Sequence, residues 1–175
     1  MLLSQHIFAG NWADVMRYLM PVLSFMFGVA AATEIRQHFQ NIGRIHWRQI
    51  VILIEMSMLF LVGFLPGKMD LVANAFVSFS CAMQVQTFRK VDSYAFASTM
   101  CIGNIRSGME ALCAYRQSHN RQILYKAFHY FGIIILFAFG AGIGSILIPV
   151  FNLQTIWFSS FLLMVGFFLM FIQEK

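Results

Sequence analysis

The sequence predicts an all-α, polytopic helical membrane protein with five transmembrane helices. Three observations carry that expectation. The 175 residues are 59% hydrophobic and 11% charged, against about 45–50% and about 25% in soluble domains. Five stretches are continuously apolar over lengths near the roughly 20 residues that cross a bilayer as a helix. None alternates apolar and polar residues with period two, as the strands of a membrane barrel do. Twenty Phe and twelve Met suit acyl chains and helix interfaces, and a globule of this size is too small to hide them all.

Taken in order, the first helix is expected over about residues 18–33, with Pro21 near its start. The second covers about 49–65 and stops at Pro66-Gly67, a pair that breaks helices. The third covers about 71–88, the fourth about 127–148 before Pro149, and the fifth about 155–172. The whole of 1–175 reads as one transmembrane domain. Basic residues set its orientation: connections 34–48 and 89–126 hold nine Lys and Arg, whereas the connections on the opposite side hold Lys68 alone. Cytoplasmic loops collect such residues, so both connections and the C-terminus are expected in the cytoplasm. A net charge of +5 placed this way marks orientation and not a nucleic-acid surface.

That orientation puts the N-terminus outside, and residues 1–8 lack the basic n-region and cleavage site of a signal peptide. They read instead like the tail of a helix already under way, as if the start were shortened. A faint repeat agrees. FMFGVAAA at 25–32 resembles FAFGAGIG at 137–144, and both place small residues four apart, Gly28/Ala32 and Gly140/Gly144. That spacing lets helix backbones approach closely, within one chain or between two. The two matching helices would cross in opposite senses, so the plan is an inverted repeat of three plus three helices, as in many transporters. Residues 1–66 would then be the remainder of the first repeat and 71–175 the second.

Intramembrane polar groups are where function is expected. Glu55 lies inside the second apolar run and is a candidate proton or cation site; a neutral acid bonded to a neighbouring helix is the bland alternative. At 100° per residue, Asn74, Ser78, Cys81 and Gln84 share an arc of about 120° on the third helix. They would line a solute path or join helices by hydrogen bonds. Gln84, Gln86, Thr99, Gly103 and Asn104 follow in a segment where polar residues interrupt the apolar context. Gly103-Asn104 suits a broken or re-entrant helix; an amphipathic surface helix bearing Arg106, Arg116, Arg121 and Lys126 is the alternative. Cys81, Cys101 and Cys113 lack metal or disulfide spacing and read as small buried residues. No enzyme motif appears, and no cofactor or metal is expected. Trp12, Trp47 and Trp157 read as an interfacial belt.

QVQTFRKV at 84–91 followed by ASTMCIGNIRS at 97–107 resembles the second-half signature of the YoaK family of bacterial integral membrane proteins, a domain of unknown function. GNWADVMRYLMPVLSFMFGV at 10–29 is similar to that family's first half, and the resemblance covers nearly the whole chain. It implies a multi-pass protein of the bacterial inner membrane with duplicated halves, about six helices and no established activity. The family's additional first helix, with its Thr-Gly-Asn, has no counterpart here. Its second Thr-Gly-Asn is Ile102-Gly103-Asn104, which loses the threonine hydroxyl and leaves Thr99 as the nearby substitute. The functional expectation is a carrier of a small solute or ion, self-associating or not, and the rival is a non-transporting membrane scaffold or regulatory protein.

Overall fold

A computed structural model describes residues 2–40, 46–91, 94–95 and 101–173. Among these the chain is helical apart from a two-residue antiparallel ladder that pairs Lys90 with Ala95 and Val91 with Tyr94. The helices are α1 (Leu2–Phe8), α2 (Trp12–Phe39), α3 (Trp47–Val62), α4 (Asp70–Thr87), α5 (Cys101–Ser118), α6 (Arg121–Phe151) and α7 (Ile156–Gln173). They form two compact units: residues 1–87 with 151–175, and residues 88–150.

In the first unit, α1 ends where Gly10 takes φ +71°. The Asn11 N–H bonds to the His6 carbonyl at 3.1 Å and the Gly10 N–H to the Ile7 carbonyl at 3.2 Å. This crossed pair satisfies carbonyls that a helix end leaves open, and glycine supplies the left-handed residue it needs. His6 then stacks on Tyr18 of α2 at 5.5 Å. The second helix is longer than its apolar core suggests, because Asp14 and Arg17 extend it at one end and Glu34, Arg36 and His38 at the other. It passes through Pro21 without ending.

α2 packs along α4 through its small residues. A Cβ added at Gly28 would lie 2.5 Å from the Phe79 carbonyl and 2.8 Å from Ala82 Cβ. Ala32, Val51 and Met83 form the buried centre, with Ile35, Trp47, Ile54 and Phe79 around it. Gln86 Nε2 donates to Thr33 Oγ1 at 3.1 Å, tying α4 to α2. Near the ends of α2 and α3, Arg36 and Arg48 each face the Trp47 ring, at 5.7 and 5.6 Å. α3 ends at Val62, and Pro66 opens a 3₁₀ turn over Gly67–Met69 that leads into α4. α7 lies against α3, where Trp157 Nε1 donates to the Phe60 carbonyl at 3.1 Å. Gly63 leaves the room that the Trp157 indole fills.

The second unit is a helical hairpin. His119, at φ 51°, terminates α5, and Asn120 Oδ1 accepts from the Gln122 N–H at 2.9 Å to start α6. Gly108 meets the Tyr130 and Phe131 side chains, about as far before this turn as they lie after it. Arg106 Nε donates to Glu110 Oε1 at 2.8 Å on the exposed face, and that bond raises the guanidinium above its ordinary value.

Three expectations change. Gly103 and Asn104 sit inside continuous α5, not at a break: no positive φ occurs there, and Asn104 is buried on the face α5 shares with Gly108 and Ala111. Pro149 does not stop the fourth apolar helix. α6 continues to Phe151, and Asn152 at φ 51° ends it; proline's φ is already helical, and so near the end little helix remains for it to disrupt. The cysteines are not buried, since Cys81 and Cys101 are half-buried and Cys113 is exposed.

Among the described residues, two stretches are long and apolar enough to cross a membrane: Trp12–Phe39, with mean hydropathy 1.6, and Arg121–Met170, with mean hydropathy 2.5. The second runs through α6 and α7 with a 3₁₀ turn at Asn152–Thr155 between them. Of the other expected spans, α3 has 16 residues, and α4 dilutes its apolar run with Asn74, Ser78, Ser80, Gln84 and Gln86.

Candidate functional site

Three helix faces of the first unit converge on one cavity of about 460 Å³. α3 contributes Glu55 and Leu59, one turn apart. α4 contributes Val77, Ser80, Cys81 and Gln84, the i, i+3, i+4, i+7 set of a single face. α7 contributes Ile156, Ser159, Leu162 and Leu163. The floor and walls are therefore apolar, with a few neutral polar groups around one carboxyl. Small-molecule sites have this make-up and a volume of about 300–1,000 Å³.

Glu55 and Ser80 are 1% and 3% exposed. Glu55 Oε1 and Ser80 Oγ have no hydrogen-bond partner among the described residues. An unsatisfied buried polar group costs about 1–3 kcal/mol, and more when charged. Two such groups on one cavity wall are the arrangement a bound polar ligand would satisfy. Two other serines of these helices differ. Ser57 Oγ donates to the Leu53 carbonyl at 2.8 Å and Ser160 Oγ to the Ile156 carbonyl at 3.3 Å. Both serines line a second hollow of about 440 Å³ between α3 and α7, where Met56, Phe60, Trp157, Phe161 and Met164 leave almost only apolar surface.

Of the residues singled out in the sequence, the cavity gathers Glu55, Cys81 and Gln84. Asn74 is exposed and Ser78 half-buried, and neither lines it. Gln86 points to Thr33 of α2. Gly103 and Asn104 belong to α5 in the other unit. Thr99 lies outside the described residues. Ser80 and Ser159 were not singled out. The cavity face of α4 is centred roughly 50° around the helix from the arc that holds Asn74 and Ser78, at 100° per residue. Ser78 sets the far edge of that arc, about 120° from Gln84, and so draws its centre away from the cavity face, where Ser80 stands instead. Among the described residues no three His, Cys, Asp or Glu side chains gather as a metal site.

The class these observations define is a helical protein with stretches apolar enough for a bilayer. Residues 1–169 match the family described as Protein of unknown function (DUF1275), and the chain belongs to that family. No curated protein matches it, and no solved structure does.

Proposed function

We propose that the chain is a multi-pass bacterial plasma-membrane protein that binds and carries a small solute or ion at the Glu55 cavity. In this reading α2, α3, α4, α6 and α7 each cross the bilayer. Residues 34–48, residues 89–126 and the C-terminus face the cytoplasm, and the helices belong to a three-plus-three inverted repeat. The bias of nine basic residues against one in the connections between spans supports the orientation. The exposed apolar side chains of α6, such as Leu136, Phe139 and Ile146 at 73%, 67% and 72%, support contact with lipid.

The observation that carries the functional reading is the pair of buried, unpartnered polar atoms, Glu55 Oε1 and Ser80 Oγ, on one cavity wall. Buried polar groups are nearly always satisfied, and polar groups inside a membrane mark solute and ion paths. The role is carriage without catalysis. The rival, a membrane scaffold, draws on the Gln86–Thr33 bond and the Gly28 seam, which lock helices together.

A thermal-shift screen of detergent-purified protein against common ions and metabolites, with Glu55→Gln beside it, tests the proposal. A ligand at about 100 times its dissociation constant should stabilise by roughly 2.7 kcal/mol, and Glu55→Gln should lose that shift. A panel without a single stabilising compound, together with a Glu55→Gln variant that only unfolds sooner, would favour the scaffold.

A further inference from the structure

Resting on the carrier reading above, we propose that the cavity takes an organic cation with a single positive charge and an apolar body, and that the cation exchanges for a proton on Glu55.

The argument begins with charge. Among the described residues, Glu55 is the one acid on the cavity wall, and no Lys, Arg or His lines it. Inside low-dielectric surroundings a carboxyl must be protonated or face a cation. The groups around it cannot supply that cation. On α4 the titratable residue at the wall is Cys81, and Asp70 lies in the first turn of that helix, away from the wall. α7 carries no charged or histidine side chain over Ile156–Gln173. α2 turns Gly28 and Ala32 inward and keeps Glu34, Arg36 and His38 exposed. On α3 itself, Arg48 sits two turns earlier, beside Trp47. A ligand bearing one positive charge would therefore be the counter-ion of Glu55, and the proton is what it displaces. One charge enters and one leaves, so the buried site stays neutral in both states.

Size and wall chemistry choose between a bare ion and an organic one. Ca²⁺ and Mg²⁺ take about six to eight oxygen ligands. Besides the carboxyl, only Ser80, Gln84 and Ser159 among the described residues bring side-chain oxygens to this wall, and one carboxylate balances half of a divalent charge. The cavity, at about 460 Å³, is also far larger than a bare ion. Leu59, Val77, Ile156, Leu162 and Leu163 offer surface to alkyl groups. Burying those groups provides binding energy at about 25 cal/mol per Å², while the carboxylate fixes the charge.

Quaternary ammonium ions provide the test, because they carry no proton of their own to lose. The full chain, purified in detergent, is titrated with tetramethyl-, tetraethyl- and tetrapropylammonium chloride, with sodium chloride at equal ionic strength as control. Heat and the proton signal of a pH-indicator dye in weak buffer are both recorded. At least one of the three should bind and release about one proton per cation, and its affinity should fall as pH falls, by up to about tenfold per unit. Glu55→Gln should abolish the proton signal and weaken binding at least tenfold. Ser159→Leu, which narrows the cavity from α7 without touching the carboxyl, should abolish both signals. Binding without proton release, or binding unaffected by Glu55→Gln, overturns the proposal; the signals of the unaltered chain decide this even if a variant fails to fold. If an uncharged or anionic solute stabilises the protein through Glu55 instead, the cation assignment falls and the carrier survives. If no solute binds at all, both fall.

Discussion

At the scale of single residues, Glu55 and Ser80 are maintained against their own folding energetics. Ser80→Ala removes a buried hydroxyl that has no partner among the described residues, and so should leave thermal stability in detergent unchanged or raise it by up to about 1 kcal/mol. A clear fall in melting temperature would mean that the hydroxyl is satisfied in the folded protein. Gly63→Ala should behave in the opposite way. Its Cβ would enter the space of the Trp157 indole, which donates to the Phe60 carbonyl and stacks near the Phe60 and Phe64 rings. Overpacking of this kind costs about 1–3 kcal/mol, to be read as an earlier unfolding transition. Glu55 was legible in the sequence, since an acid within an apolar run is conspicuous. Ser80 was not, because one serine among several on a helix gives no sign of which face a third helix will cover.

At the scale of elements, the two small-residue pairs meet different surroundings. Gly28 and Ala32 are buried in the seam between α2 and α4. A Cβ at Gly140 or Gly144 meets nothing within 4 Å among the described residues. Opposite signs therefore follow for one substitution. Gly28→Ala should destabilise by about 1–3 kcal/mol through steric crowding. Gly140→Ala should stabilise by about 0.5–1 kcal/mol through helix propensity alone. Both are measured by thermal unfolding, and a loss at Gly140 as large as that at Gly28 would show that α6 has a close partner there. The spacing of these residues was readable in the chain. Which pair would be used was not, because it depends on which helix lies opposite. Gly103-Asn104 teaches the same lesson for turns. Residues that tolerate a break do not require one: α5 runs through them with Asn104 buried, and one turn on Gly108 meets Tyr130 and Phe131 of α6.

At the scale of the whole molecule, the prediction concerns which side of the membrane each connection occupies. In a chain with Cys81, Cys101 and Cys113 replaced by Ala, K68C should react with a membrane-impermeant maleimide on intact cells. R116C should react only after permeabilisation. Labelling of both on intact cells would sink the five-span orientation, and labelling in the reverse order would invert it. The basic-residue bias is strong enough to make this a demanding experiment, since Lys68 is the lone base in the connections expected outside.

In the sequence by itself, local hydropathy, backbone preference and breakers such as Pro66-Gly67 carried the helical class, the apolar stretches and, to within about three residues, the bounds of α3, α4 and α7. Membership of its family was written there as well. Only the tertiary structure decided that Glu55, Ser80, Cys81, Gln84 and Ser159 share one cavity. They come from three helices, of which α3 and α4 are consecutive and α7 follows only after α5 and α6. Their meeting depends on how α3, α4 and α7 rotate about their own axes when they pack, and a rotation of half a residue's turn is enough to exchange one wall for another.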